Sequence, residues 1–312
     1  MKPAVAVVGS LNMDFVVRTK RLPAAGETAL GHGFQMLPGG KGANQAFAAA
    51  KLGLGSVTVR MAGRVGMDLF GDRLKASLSG AGVDVSAVHT SRSQPTGVAL
   101  ITVDDAGQNQ IVVAAGANHE ITPRDVEALR RVVKGASAAL FQLETPLAAV
   151  AAALKMARGE GARTILDPAP AQSLSRDVLE SVDILTPNEG EACLLLGRAP
   201  ERVGIEDANG MTEALSALGS RMVALKMGDR GCFFRGAGEA FHVPAFVVEA
   251  VDSTAAGDTF NAALAVALAE GSPIPHALRF ASAAAAISVT RMGAQASAPS
   301  RAETDRFLED RR

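Results

Sequence analysis

Val251-Asp252-Ser253-Thr254-Ala255-Ala256-Gly257-Asp258-Thr259-Phe260-Asn261 is the stretch on which the reading of this chain turns. It reads as a strand end, a turn of small residues, then a helix. After Asp258 come Thr-Phe-Asn-Ala-Ala-Leu-Ala-Val-Ala-Leu-Ala-Glu, good helix formers that stop at Gly271. A helix that opens on Ala-Ala-Gly leaves its first N–H groups without side-chain cover. Such donors, at the positive end of a helix, make an anion site. Asp258 stands beside that site. A carboxylate next to a cradle for negative charge suits phosphoryl transfer to a hydroxyl: the carboxylate takes the proton and the cradle holds the migrating group. Taken alone, Gly-Asp at a helix start reads as a turn and a cap. A second small-residue turn far upstream, Pro38-Gly39-Gly40-Lys41-Gly42-Ala43-Asn44, weighs against that plainer reading.

Composition narrows the function. A chain of 312 residues allows one large α/β domain or two small ones, and a hydrophobic share of 48% supports a sizeable core. A net charge of −1 gives no basic footprint for nucleic acid. Tyr and Trp are absent, so platforms for base stacking are poorly supplied. No apolar run reaches membrane-spanning length. The N-terminal run is short and is followed at once by Asn12 and Asp14, which fits a buried first strand better than a signal peptide. Cys193 and Cys232 make no disulfide or metal framework and read as core thiols, with the cytoplasm as the expected compartment. The five histidines form no ligand-spaced set.

The order of elements points to an α/β fold. Val5–Val8 reads as a buried parallel strand, with Asn12 and Asp14 just beyond its carboxyl end, where open α/β sheets bind ligands. Phe15–Arg18 and Thr28–Leu37 read as strands, as do Val98–Val103 and Gln110–Ala114 around the turn Asp104-Asp105-Ala106-Gly107. Together they predict a small side sheet formed by inserted segments 15–37 and 96–115 of one catalytic domain spanning 1–312. The glycine cluster opens an Ala-rich helix ending near Gly53. Val57–Met61 follows as a strand, then a helix from Asp68 to Ser79. From 120 onward, helices and strands alternate: helix Pro123–Lys134, strand Ala138–Gln142, helix Pro146–Gly159, strand Arg163–Leu166, and so on to strand Met222–Lys226. That alternation predicts a three-layer α/β/α core with a mainly parallel sheet. Phe233–Val251 reads as short strands, and Pro275–Val289 as a second Ala-rich helix. Glu144, Asp167, Asn188 and Lys226 fall at strand ends. Each also reads as a cap, but one shared sheet edge is what a single site predicts. There is neither G-x-x-x-x-G-K-[ST] nor G-x-G-x-x-G, which argues against a P-loop and a dinucleotide fold.

Taken as an ordered set, these residues resemble the ribokinase family of sugar kinases, also called PfkB-type kinases. The glycine cluster at 39–44 and the stretch 252–261 carry the resemblance. Asp167-Pro168-Ala169-Pro170, Thr186-Pro187-Asn188-Glu189 with Glu191, and Gly293 to Ser297 extend it over nearly the whole chain. The resemblance implies a ribokinase-like core, a β-sheet lid, and ATP-dependent phosphorylation of the 5-hydroxyl of D-ribose. Relatives acting on 2-deoxyribose, another furanose, fructose 6-phosphate or a nucleoside are the nearest alternatives, and an idle sugar-binding protein is the alternative of another class.

It further implies that Asn12, Asp14, Gly40, Lys41, Gly42, Asn44 and Glu144 bind the sugar and that Asp258 is the base. The backbone at Ala255, Ala256 and Gly257 is then the anion hole. ATP falls to Asn188, to Lys226-Met227-Gly228-Asp229-Arg230-Gly231, to Gly257 and to Ser282. Lys226 departs from the small hydroxyl residue expected there. Mg²⁺ falls to Asn188 and Glu191. A K⁺ site falls to Asp252, Thr254, Ser288, Arg291, Gly293 and Ser297. The lid implies water exclusion, a hinge at Gly39-Gly40, a sugar-facing row of Ala99, Ile101 and Val113, and pairing of lids in a homodimer.

Overall fold

Every residue of β1 (Ala4–Val8) is buried, and the strand feeds two apolar clusters by simple alternation. Val5 and Val7 join one cluster; Ala4, Ala6 and Val8 join the other. The sheet is therefore covered on both faces, which is why β1 reads as an unbroken apolar run. The structure is a computed structural model and describes residues 2–122 and 125–311.

The nine-stranded sheet has the order β13-β12-β11-β10-β9-β8-β1-β4-β5. Its strands are β4 (Thr58–Gly66), β5 (Val83–Ser91), β8 (Ala138–Phe141), β9 (Arg163–Leu166), β10 (Ile184–Leu185), β11 (Met222–Lys226), β12 (Cys232–Gly236) and β13 (Glu239–Val243), besides β1. All neighbouring pairs from β11 to β5 are parallel where their register is given, and β12 and β13 add an antiparallel edge. One face carries α1 (Lys41–Leu52), α2 (Leu69–Gly80), α8 (Ala256–Ala269) and α9 (Ile274–Ser288). The other carries α3 (Val126–Val133), α4 (Leu147–Gly159), the short α5 (Arg176–Leu179), α6 (Glu189–Leu195) and α7 (Ile205–Ala217). The many alanines of α1, α8 and α9 are buried, and their small side chains let these helices approach closely. Cys193 and Cys232 are free and buried.

β2 (Asn12–Thr19), β3 (His32–Gly39), β6 (Gly97–Asp104) and β7 (Asn109–Ala114) form a separate four-stranded sheet in the order β3-β2-β6-β7. Asp14 pairs with Ala99, and Ala99 with Val113, so these three share a face; Ile101 lies one pleat further along the same face. Ala99 is buried on this face and Val113 is exposed.

Several boundaries differ from those read off the sequence. Residues 28–31 lie outside β3, and Pro38-Gly39 ends that strand instead of opening the helix. β4 runs on through Gly63-Arg64-Val65-Gly66, and β5 and α10 (Arg301–Glu309) were not anticipated. β5 is an edge strand whose outward residues are polar, so its apolar signal is thin. No strand precedes the 252–261 turn: residues 244–250 lack regular structure. Val251 and Asp252 instead donate their N–H groups to the Val289 carbonyl just past α9, at 2.7 and 3.1 Å. Pro123, the expected first residue of α3, lies outside the described residues. Among the described residues, no helix is long and apolar enough to cross a membrane.

Candidate active site

The site sits beyond the carboxyl end of β1, where the order of the sheet changes direction between β4 and β8. Two helix N-termini meet there. Gly40 precedes α1 at φ 88°, ψ 133°, a conformation only glycine adopts easily. A Cβ on Gly40 would lie 2.6 Å from the Asn12 nitrogen, so the turn presses directly on the β1–β2 connection. Glu144, just past β8, clips this turn down. Its Oε2 accepts from Ser10 Oγ at 2.5 Å, from the Lys41 N–H at 3.1 Å and from Asn12 Nδ2 at 3.5 Å.

The second N-terminus is that of α8. It begins after Ala255, which is left-handed at φ 59°, uncommon for a residue with a side chain. No side chain caps this helix. Ala256 donates to the Ser253 carbonyl at 3.2 Å, whereas Gly257 and Asp258 find no backbone acceptor among the described residues. These are the amides that the sequence assigns to an anion cradle.

Asp258 is buried and held by α1: Oδ2 accepts from Asn44 Nδ2 at 3.1 Å and Oδ1 from Gln45 Nε2 at 3.0 Å. Gln45 reaches Asp167 with the same nitrogen at 3.2 Å, and its own Oε1 accepts from Gln142 Nε2 at 2.6 Å. Burial raises the Asp258 carboxyl to about 6, with Asp167 acting in the same direction; Lys41 and the bonds from Gln45 and Asn44 oppose it. Asp14 rises to about 7, again chiefly by burial, then through Glu144 and Asp258. Burial alone would lower Lys41, but Asp258, Asp167, Glu144 and Glu191 together hold its ammonium well above the usual lysine range.

A cavity of about 870 Å³ opens beside Asp258, lined by Asn188, Glu191, Gly228, Phe246, Gly257 and Ser282 among others. Lys41 and Lys226 also line it, as do Asp229 and Gly231. Lys41 therefore faces this cavity as well as opening α1 after the Gly40 turn. Met227 is fully buried, and neither it nor Arg230 lines the cavity. The Arg230 guanidinium is engaged with Glu189 at 2.6 Å and with the Val203 carbonyl, so it anchors the 228–231 loop.

Asn188 and Glu191 form a capping box at the start of α6. The Asn188 side chain accepts from the Glu191 N–H at 2.8 Å, and Glu191 accepts from the Asn188 N–H at 2.7 Å. Among the described residues, no group of three or more His, Cys, Asp or Glu is placed to hold a metal ion. Two oxygen-bearing side chains still suit Mg²⁺, which keeps waters and takes its remaining ligands from phosphate.

Asp252 draws the other loops together. Its two carboxylate oxygens accept from the Thr254 and Gly293 N–H groups at 2.9 and 2.8 Å, respectively. Ser288 and Arg291 flank the end of α9, where the Ser288 carbonyl accepts from the Arg291 N–H at 3.1 Å. Ser297 lies further along and bonds the Ala294 carbonyl at 2.8 Å.

The sequence reading passed over Gln45, Gln142 and Asn118 as site residues. Asn118 is buried, bonds Leu11 at both N–H and carbonyl, and donates to Asn12 Oδ1 at 2.8 Å. It thereby turns the Asn12 amide nitrogen toward Glu144. The signal for Gln45 was a polar residue next to Asn44 in an otherwise apolar helix.

The chain is similar to known proteins over nearly its whole length. A ribokinase of Haemophilus influenzae is 39% identical over 99% of this chain and 99% of its own length. One of Bacillus subtilis is 41% identical over 97% of this chain and 99% of its own. Among solved structures, ribokinase of Thermotoga maritima superposes with a TM-score of 0.88 at 37% identity, covering 99% of this chain and all of that one. Arabidopsis thaliana ribokinase complexed with ribose and ATP gives a TM-score of 0.88 at 36% identity over 99% of both chains. The model of the pfkB family carbohydrate kinases matches residues 2–301. With that match spanning both glycine turns, the buried Asp258 and the cavity beside it, the chain belongs to the pfkB family of carbohydrate kinases.

Proposed function

We propose that the protein transfers the γ-phosphoryl group of ATP to the 5-hydroxyl of D-ribose, giving D-ribose 5-phosphate and ADP. The observation that carries this reading is the placement of a buried carboxylate, Asp258, in the first turn of an uncapped helix, at the edge of a nucleotide-sized cavity. The choice of ribose rests on the near-full-length likeness to ribokinases.

Asp14, Asn12 and Asn44 hold the sugar hydroxyls, with the Gly40-Lys41-Gly42 turn packed behind them. Asp258 takes the 5-hydroxyl proton as the oxygen attacks phosphorus. The amides at Gly257 and Asp258, beside Ala255 and Ala256, receive the charge on the transferring group. Asn188 and Glu191 would hold Mg²⁺, which would neutralise phosphate charge. Gly228, Asp229, Gly231 and Ser282 border the nucleotide, while Met227 and Arg230 support the loop from beneath. The four-stranded sheet closes over the sugar and keeps water from the phosphoryl group. Phe34, Met36, Leu100, Ile111, Val112 and Val113 are exposed on that sheet, which supports pairing of two lids in a homodimer.

A coupled ATP-consumption assay across ribose, 2-deoxyribose, fructose, adenosine and fructose 6-phosphate tests the reading. The highest kcat/KM is expected for ribose; a clear preference for any other acceptor overturns the assignment.

Two further outcomes are expected. Asp258 must be ionised to act as a base, so kcat/KM should fall about tenfold per unit as pH drops below about 6. A flat profile between pH 5 and 8 contradicts the base assignment. We infer that Asp252, the backbone oxygens of Thr254, Ser288, Arg291 and Gly293, and Ser297 form a site for a large, weakly hydrated cation. K⁺ should therefore stimulate turnover severalfold, and Na⁺ much less. Equal rates in K⁺, in Na⁺ and without either remove the cation site.

A further inference from the structure

We propose that Lys226 is a second phosphoryl-binding cation, held by Asp167 at the mouth of the anion cradle and shared with the transferring phosphoryl group during reaction. This rests on the phosphotransfer reading above and adds a charged group to it.

Lys226 ends β11 and points into the cavity beside Gly257. Its Nζ would lie 3.3 Å from a Cβ built on Gly257, so the ammonium stands against the bare amides of α8. The ammonium bonds Asp167 Oδ1 at 2.9 Å. Among the described residues, that is its one hydrogen-bond partner. A lysine ammonium carries three donors, so two remain for a ligand. The pair is largely buried, with side chains 14% and 4% exposed for Lys226 and Asp167. A buried pair of this kind is weak evidence for stability, because desolvation offsets most of the attraction. Its location supplies a better reason for it. Asp167 Oδ2 accepts from Gln45, which also holds Asp258, so one buried polar chain links the lysine to the base. Lys41 enters the same cavity from α1. A triphosphate terminus entering this cavity meets both lysines, Lys226 beside the bare amides of α8.

The chemical step balances without Lys226 gaining or losing a proton. The sugar hydroxyl gives its proton to Asp258. The sugar oxygen forms the new bond to the γ-phosphorus. The bond from that phosphorus to the β,γ-bridging oxygen breaks, and ADP leaves with the electron pair. Lys226 acts by charge and hydrogen bonding on the transferring oxygens.

The test compares nucleotides that differ only by the γ-phosphate. The double variant Lys226→Met/Asp167→Asn removes both charges, while the new amide oxygen still accepts from Gln45. Calorimetric titration with ADP and with AMP-PNP in the presence of Mg²⁺ reads the effect. AMP-PNP affinity should fall about tenfold and ADP affinity by less than about twofold, as for loss of one charge-assisted bond. Ribose-dependent kcat should fall about 100-fold. An equal loss for both nucleotides, or no loss for either, overturns the proposal. If the double variant does not fold, Lys226→Gln keeps a donor toward Asp167 without the charge, and the same split between nucleotides is required of it. A wild-type protein inactive on every sugar would sink the phosphotransfer reading. An active wild type with an unchanged nucleotide ratio in the variant sinks the Lys226 proposal alone.

Discussion

Replacing Asp258 with asparagine should cut kcat by about 100-fold or more while leaving ribose and nucleotide binding close to normal. An amide of the same shape cannot take the proton, and the loss of a positioned base is worth this much. The substitution should also be well tolerated. Among the described residues, Asn44 Oδ1 is buried without a partner, so a flip of that amide offers an acceptor to the new side-chain NH₂. The charge removed is one the fold holds at a cost. A carboxyl whose folded-state value is raised to about 6 stabilises the fold below its unfolded value of about 4, and that contribution is lost as pH rises through about 6. Above pH 7 the ionised Asp258 is therefore a burden, and the variant should melt no lower than the wild type. Kinetics and thermal melts at pH 7.5 check both halves. Near-normal kcat would remove Asp258 from the chemistry, and a large fall in Tm would make its role structural.

Gly40→Ala should have the opposite signature, damaging fold and sugar site together. The backbone there is at φ 88°, ψ 133°, and the new methyl would meet the Asn12 nitrogen at 2.6 Å and the Leu11 Cα at 3.0 Å. Both obstacles are main chain, so no rotamer relieves them. Strain of this kind costs about 3 kcal/mol, which lowers Tm by about 4–5 °C in a chain of this size. The turn also carries the Lys41 N–H that Glu144 holds, and it abuts the strand bearing Asp14. Ribose KM should rise at least about tenfold, while ADP titration changes less, because the substitution lies outside the 228–231 loop. Unchanged ribose KM would show that the turn can shift without disturbing the sugar.

The contrast between these variants shows what the sequence makes legible. Short-range features survive translation into structure. The strands Arg163–Leu166 and Met222–Lys226, the helix after Gly40 and the uncapped start of α8 all stand where local pattern and small residues put them. What was hidden depends on distance in the chain. Gln45 joins Asp167 and Asp258 from 122 and 213 residues away, and Asn118 orients Asn12 across 106 residues. Neither carries a spacing that marks it. The segment before Val251 misled for a related reason. Its valines suggest a strand, but its residues wall the cavity, and the end of α9 takes up the N–H groups of Val251 and Asp252 that follow. Arg230 sits in the nucleotide-loop motif, yet its charge is turned to Glu189, because only folding brings α6 alongside.

The most direct test of the account is the crystal structure of the protein with ribose and AMP-PNP bound. Asp258 should place a carboxylate oxygen about 2.6–3.2 Å from the sugar 5-hydroxyl, with the γ-phosphate against the Gly257 and Asp258 amides. A carboxylate turned away from that hydroxyl, or a γ-phosphate seated elsewhere, would contradict it.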